Sequence, residues 1–286
     1  MLAWIRKYGY VAASAGALIV FAASMASIFG YYADTRSAKS QMEQARTLYR
    51  AEEPTVERAE ADPRPPAEVV APAPSSAATK PETVAAQSPF DPDAVRKLIV
   101  QDRFKPLLNK NADTVGWLTI AGTSIDYPVV QAEDNAYYLR RDFERDSNVT
   151  GSIFMDYRND IGQQEKHWIL YGHYMKEEIM FKGLLKYRDE AYYREHPIVT
   201  FDTLYGDQQW LVFSAYDTNA DEDYIRTVFD REDEFAAFAS VLKSNSLYDT
   251  GVEVGAGDRV LTLSTCSRTE EGGRFTVHAK LVTGAS

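Results

Sequence analysis

The chain has 286 residues, 45% of them hydrophobic, enough for one or two domains with a substantial core. Its net charge of −11 argues against nucleic acid as a partner. A single cysteine excludes an internal disulfide and any multi-cysteine zinc site.

From Tyr8 to Ala33 no residue is charged, a run of 26. A membrane-spanning helix needs about 20 mostly apolar residues, whereas the apolar stretch of a signal peptide is about 7–15. Residues 8–33 therefore read as a transmembrane anchor. Arg6 and Lys7 precede it, so the positive-inside rule keeps residues 1–7 in the cytoplasm and exports the rest. Tyr8, Tyr10, Tyr31 and Tyr32 flank the run as interfacial aromatics do. The alternative is a cleaved signal peptide, with residues 23–26 (ASMA) as the cleavage site.

Residues 34–50 can continue as a helix out of the membrane. Residues 51–90 hold eight of the twelve prolines. That composition predicts a semi-extended tether, so residues 34–90 read as a juxtamembrane segment and Pro/Ala-rich linker. At roughly 3 Å per residue the tether would hold a domain on the order of 100 Å from the bilayer.

The folded domain is expected over residues 91–286, and the acidic excess belongs to it. Asp91-Pro92-Asp93 offers a helix start, followed by a short helix pair broken near Pro106. Eight runs have strand character: Trp117–Ile120, Ile125–Val130, Ser152–Met155, Trp168–Tyr171, Ile198–Thr203, Gln209–Ala215, Val260–Thr265 and Phe275–Val282. Helical insertions are expected over about Glu178–Glu195 and Glu232–Asn245, the second with apolar residues at helical spacing. The fold class is therefore mainly β, an eight-stranded closed or nearly closed barrel with helical insertions and N-terminal helices.

Cys266 ends the seventh run and Arg274 opens the eighth. If the two runs pair as an antiparallel hairpin, one thiol sits beside one guanidinium at the same rim of the sheet. A nearby cation favours the thiolate, so the pair suggests a nucleophile. The competing reading is a buried cysteine acting as a small hydrophobe. Among four histidines, His173 follows a strand run at Gly172, on a loop where catalytic groups tend to be presented. His167, His196 and His278 read as structural or solvated. No HExxH or paired Cys/His motif is present. Asp221–Asp223 reads as a solvated acidic loop rather than a calcium site.

These residues resemble the sortases, membrane-anchored cysteine transpeptidases of Gram-positive envelopes. The resemblance lies in TLSTC at 262–266 followed by RFTVH at 274–278, and in YGHYM at 171–175. Class B features are DYPVVQ at 126–131, DNAYYL at 134–139, GSIFMDY at 151–157 and the long helix between the sixth and seventh strands. The similarity spans about residues 91–284.

The resemblance implies a sortase-type barrel in which Cys266, His173 and Arg274 are catalytic. Arg268 also lies near the thiol, in the loop from Cys266 to Arg274, and the strand context favours Arg274. It also implies a substrate groove that includes Asn135, Leu139, Tyr171, Tyr224, Ile225 and Ser264, with Thr265 or a nearby N–H as a further oxyanion donor. Leu139 and Ile225 alternatively read as core packing. The implied substrates are surface proteins bearing a C-terminal Asn/Ser-Pro-x-Thr sorting signal, cleaved after Thr. The acyl group passes to an amine of a peptidoglycan precursor, which anchors the protein to the cell wall. The chemistry requires no metal or organic cofactor. The implied location is the cell membrane, single-pass, with the catalytic domain outside. Two other readings compete: a thiol protease releasing its substrate to water, and a non-catalytic envelope-binding domain on a tether.

Overall fold

The structure, a computed structural model, describes residues 2–51, 99–219, 223–266 and 273–282; side chains are described from Ser14 onward, that of Cys266 excepted. A single long helix, α1 (Leu2–Ala51), comes first. After a 3-10 turn (Asp102–Phe104) comes the short helix α2 (Lys105–Lys110). The break between these two short helices falls beside Pro106, as expected, and Pro106 sits in the first turn of α2, where its missing N–H has no intrahelical role.

Eight strands form the body: β1 (Thr114–Ile120), β2 (Asp126–Val130), β3 (Ile153–Met155), β4 (His167–Gly172), β5 (Ile198–Thr203), β6 (Gln209–Asn219), β7 (Val260–Cys266) and β8 (Gly273–Val282). They close into a barrel in the order β1-β2-β3-β4-β7-β8-β6-β5, with β5 paired back to β1. Every expected strand run is present. β6 extends to Asn219 because it pairs with β8 up to Gly273. The insertion expected over Glu178–Glu195 is two pieces, a 3-10 stretch (Phe181–Arg188) and α3 (Glu190–Glu195). The Asp189 side chain caps α3 by accepting from the Ala191 N–H.

The barrel core holds Trp168 and Trp210 beside Phe201, all fully buried, while Trp117 is buried on the opposite face, under α1. Helix α4 (Glu232–Ser244) buries Phe235, Phe238, Ala239 and Leu242, one face at helical spacing, against the outside of β6 and β7.

Residues 34–50 continue α1 as a helix, as expected. They do not stand apart from the folded domain but pack against the barrel. Ala38, Met42, Ala45 and Tyr49 are buried, spaced four, three and four residues apart on one face of α1. Tyr49 stacks on Trp117 with ring centroids 4.4 Å apart and donates to Asp202 at 2.7 Å. Arg46 and Arg50 pair with Asp126 at 2.7 and 2.6 Å. Nearer the apolar run, Gln41 donates to Asp142 at 2.9 Å. The Asp34 carboxylate accepts from the Val149 N–H at 3.1 Å, and the Tyr31 hydroxyl donates to Glu177 at 2.6 Å. The folded unit therefore includes the second half of α1. The boundary expected at Asp91, its helix start and the proline-rich stretch lie outside the described residues.

Candidate active site

Strand β4 delivers the histidine. It runs between β3 and β7, pairing antiparallel with the first and parallel with the second, and it ends at Gly172. A β-carbon at Gly172 would lie 2.5 Å from the Ile153 side chain and 2.8 Å from the Phe181 ring, so the strand can pass here only without a side chain. His173 follows, and the loop it opens closes on itself through the Phe181 N–H to its carbonyl at 3.0 Å.

The His173 ring is half-buried, and its Nε2 lies 2.6 Å from the Leu139 carbonyl oxygen. A ring nitrogen facing a carbonyl carries the proton, so Nε2 is the donor. Burial lowers the His173 pKa, and the charges of Arg140 and Arg274 push the same way against the Leu139 hydrogen bond. Gly151 makes this arrangement possible. Its φ is +58°, and a β-carbon there would sit 2.8 Å from the Leu139 oxygen and 3.1 Å from His173 Cδ2.

Strands β7 and β8 deliver the rest. They pair antiparallel in the register that sets Cys266 directly opposite Arg274. In the β4–β7 ladder Tyr171 faces Ser264 and Gly172 faces Thr265, so the thiol strand runs beside the histidine strand to the same rim.

A groove of about 250 Å³ opens at that rim. It brings together His173, Arg274, Asn135, Leu139, Tyr171, Tyr224, Ile225 and Ser264, eight of the residues expected at the site. Leu139 is 38% exposed, which removes core packing as its role. Thr265 is not among the lining residues. Strand alternation turns it away from Ser264's face, and its Oγ1 is buried with no hydrogen-bond partner among the described residues. Arg268 and residues 221–222 of the acidic loop lie outside the described residues. A larger cavity, about 520 Å³, lies between α1, the β1–β2 turn and residues 178–180, and neither His173 nor β7 lines it.

Behind the groove is a residue that spacing alone did not single out. The Asp156 carboxylate is fully buried. Its Oδ2 accepts from Tyr171 at 2.9 Å, from Asn135 at 3.1 Å and from Arg158 at 2.8 Å, while Oδ1 takes the Arg158 Nε–H at 2.8 Å. Arg158 also donates to the Ile225 carbonyl at 2.9 Å. Burial pushes the Asp156 pKa up, but the hydrogen bonds from Arg158, Asn135 and Tyr171 outweigh it and hold the group below its ordinary value. Phe154 also lines the groove and was not anticipated. The sequence signal for both was the alternation across GSIFMDY at 151–157, which puts residues 154 and 156 on one face.

The other histidines are accounted for by packing. His167 and His278 are fully buried and bridged by Thr262. His167 Nδ1–H donates to the Arg226 carbonyl at 2.6 Å, and its Nε2 accepts from Thr262. Burial pulls the His167 pKa down to about 4. His196 packs beside Tyr192, ring centroids 4.6 Å apart.

The barrel with this rim matches known proteins. A sortase domain profile matches residues 118–282. Sortase B of Staphylococcus aureus is 40% identical over 185 residues, 64% of this chain and 76% of that protein. Sortase B of Listeria monocytogenes is 39% identical over 186 residues, with the same coverage. The structure of Bacillus anthracis sortase B in complex with AAEK1 superposes with a TM-score of 0.67 at 35% identity, covering 88% of this chain and 99% of that one. A Staphylococcus aureus sortase B–substrate complex aligns with a TM-score of 0.62 at 39% identity, covering 67% and 90%. The chain belongs to the sortase family of cysteine transpeptidases, and within it is a class B sortase.

Proposed function

We propose that Cys266 is the nucleophile, His173 the proton-transfer group and Arg274 the oxyanion-stabilising group of this transpeptidase. The observation that carries the reading is the cross-strand pairing of Cys266 with Arg274 on a groove that also holds His173.

The Cys266 thiolate attacks the carbonyl carbon of a threonine in the sorting signal. Arg274 favours the oxyanion that forms, because a fixed guanidinium in a partly dry groove meets developing negative charge without reorganising. As the C–N bond breaks, the His173 imidazolium gives its proton to the leaving amine, and a thioester remains on Cys266. An amine of a peptidoglycan precursor then attacks the thioester, gives its proton to His173 and restores the thiolate.

The substrate is a surface protein with a C-terminal Asn/Ser-Pro-x-Thr signal. Asn135, Leu139, Tyr171, Tyr224, Ile225 and Ser264 hold the segment before the scissile bond. Among the described residues, α1 is the one helix long and apolar enough to cross a membrane. It supports a single-pass arrangement with residues 1–7 inside, 8–33 in the bilayer and the catalytic domain outside.

The test is turnover of a quenched sorting-signal peptide by the full chain in detergent. Cys266→Ala is expected to abolish cleavage with the fold intact, and retained turnover refutes the nucleophile assignment. Product analysis with and without an added amine separates transfer from release to water.

A further inference from the structure

We infer that the barrel is seated on the lipid headgroups, with the 141–150 hairpin and the 174–180 loop against the bilayer and the catalytic groove opening at the membrane surface. The inference rests on the reading of residues 8–33 as a membrane span. It replaces a domain carried far from the bilayer on a tether.

The geometry begins with helix length. At about 1.5 Å per residue, the uncharged run covers about 39 Å, more than the roughly 30 Å hydrocarbon core. Its last residues therefore lie at headgroup depth. The barrel's contacts with α1 start at that same point. Tyr31 reaches Glu177, and Asp34 takes the Val149 N–H through its carboxylate and the Asn148 amide through its carbonyl. The contacts continue to Arg50, which pairs with Asp126. Between Tyr31 and Arg50 the helix rises about 28 Å, close to the full height of a small barrel. The barrel thus stands beside the emerging helix along its whole height. Its lower rim meets the helix where the apolar run ends, at Tyr31 and Asp34.

The rim carries groups suited to that place, set among Asp142, Glu144, Asp146, Glu177 and Glu178, which make it acidic against Arg141, Arg145 and Lys176. Val149 is 42% exposed and Tyr32 63% exposed, while Lys176 is exposed beside them in the chain segment that Tyr31 grips. An apolar side chain, an aromatic ring and a cation are the groups that settle at a headgroup layer. From this rim to the catalytic histidine is a short step. Val149 touches Asp34, and Gly151, two residues on, lies against His173 Cδ2. Two residues span at most about 7 Å, so His173 is within roughly 15 Å of the first charge after the apolar run. A groove at that height faces substrates that are themselves held by lipid.

The test uses the full chain in vesicles of phosphatidylcholine and phosphatidylglycerol. In a Cys266→Ala background, single cysteines at Val149, Lys176 and Asp207 carry a fluorophore. Asp207 lies near the Tyr49 end of α1, which makes it the distant control. Lipids bearing a nitroxide on the headgroup should quench Val149→Cys and Lys176→Cys several-fold more than Asp207→Cys. Vesicle flotation is run on the same samples. A chain that floats but shows equal, weak quenching at all three positions overturns the seating and leaves the anchor standing. A chain that does not float overturns both.

Discussion

The Tyr171 hydroxyl donates to Asp156 Oδ2 at 2.9 Å, and the same oxygen holds the Asn135 amide, so one buried carboxylate fixes two walls of the groove. Through Arg158 it also holds the Ile225 carbonyl. Asn135 is fixed at both ends, since its Oδ1 accepts from the Tyr157 N–H at 3.1 Å. Asp156→Asn keeps the size of the side chain but removes the charge that organises these partners. Losing hydrogen bonds to a charged group is worth about 1.5–3 kcal/mol, so kcat/KM should fall about 10- to 100-fold. The change should appear mainly in KM. An unchanged KM with a reduced kcat would show that Asp156 does not shape the groove.

Gly151→Ala should lower activity more than stability. The new methyl meets the Leu139 oxygen and the His173 ring, the two partners of the hydrogen bond that orients the histidine. The positive φ adds strain of about 1–2 kcal/mol. A loss of kcat of tenfold or more, with a melting temperature lowered by only a few degrees, is the expected result. Wild-type kcat in the variant would show that the His173 contact tolerates displacement.

Arg274→Lys is expected to reduce turnover about a hundredfold, because removing one oxyanion donor costs about 10²–10³ in rate and lysine lacks the planar fork. His173→Ala should be as damaging as the cysteine change, while His196→Ala keeps most activity. Peptide turnover by each variant decides the assignments, and a dead His196→Ala would displace His173. His167→Ala and His278→Ala would instead lose stability, since both rings fill buried hydrogen-bonded positions.

Acid should weaken the fold in two stages. The buried His167 has its pKa depressed from 6.5 to about 4, so the unfolded chain binds its proton first as pH falls. Its contribution is complete above about pH 6.5 and is lost on the way down to about pH 4. Asp156, also depressed, loses its contribution only below about pH 4. Melting temperature should therefore drop between pH 7 and pH 5, and the drop should be smaller in His167→Asn. Equal pH slopes for the two proteins would remove His167 as the cause.

Tyr49→Ala should destabilise the barrel although residue 49 lies far from the groove in sequence. The ring is 4% exposed, stacked on Trp117 and bonded to Asp202. Truncating a buried aromatic costs about 3–5 kcal/mol. Thermal melts of the variant should show a clear loss, and a change within error would mean that α1 does not hold the barrel in solution.

The strands were legible because alternation and β-branched runs between turn residues mark a half-buried strand regardless of context. The Cys266–Arg274 pairing was legible because a hairpin's register follows from its two runs. The docked half of α1 was not. Its buried stripe is Ala38, Met42, Ala45 and Tyr49, weakly apolar and set among Arg36, Lys39, Glu43, Arg46 and Arg50. Such a stripe is indistinguishable from a solvated helix until its partner surface is known. Asp156 was hidden for a related reason. A lone Asp in a strand-end sequence says nothing of Asn135 and Tyr171, which converge on it from distant segments and join the neighbouring Arg158. Thr265 was misplaced because adjacency to Cys266 in sequence put it on the opposite face of β7.

The Tyr49 ring lies 5.3 Å from the Phe104 ring, and the Gln101 N–H donates to the Leu204 carbonyl at 2.9 Å. The chain on either side of residues 52–98 is thus clamped to one patch of the barrel. Whatever path that stretch takes, it leaves and returns at the same point, so its length sets no distance between other parts of the molecule. Doubling such a connection adds only about 0.6 kcal/mol of closure entropy. Changing the length or composition of residues 52–98 is therefore expected to leave the barrel in its place on the helix, because Tyr49, Phe104 and Gln101 hold the two flanks.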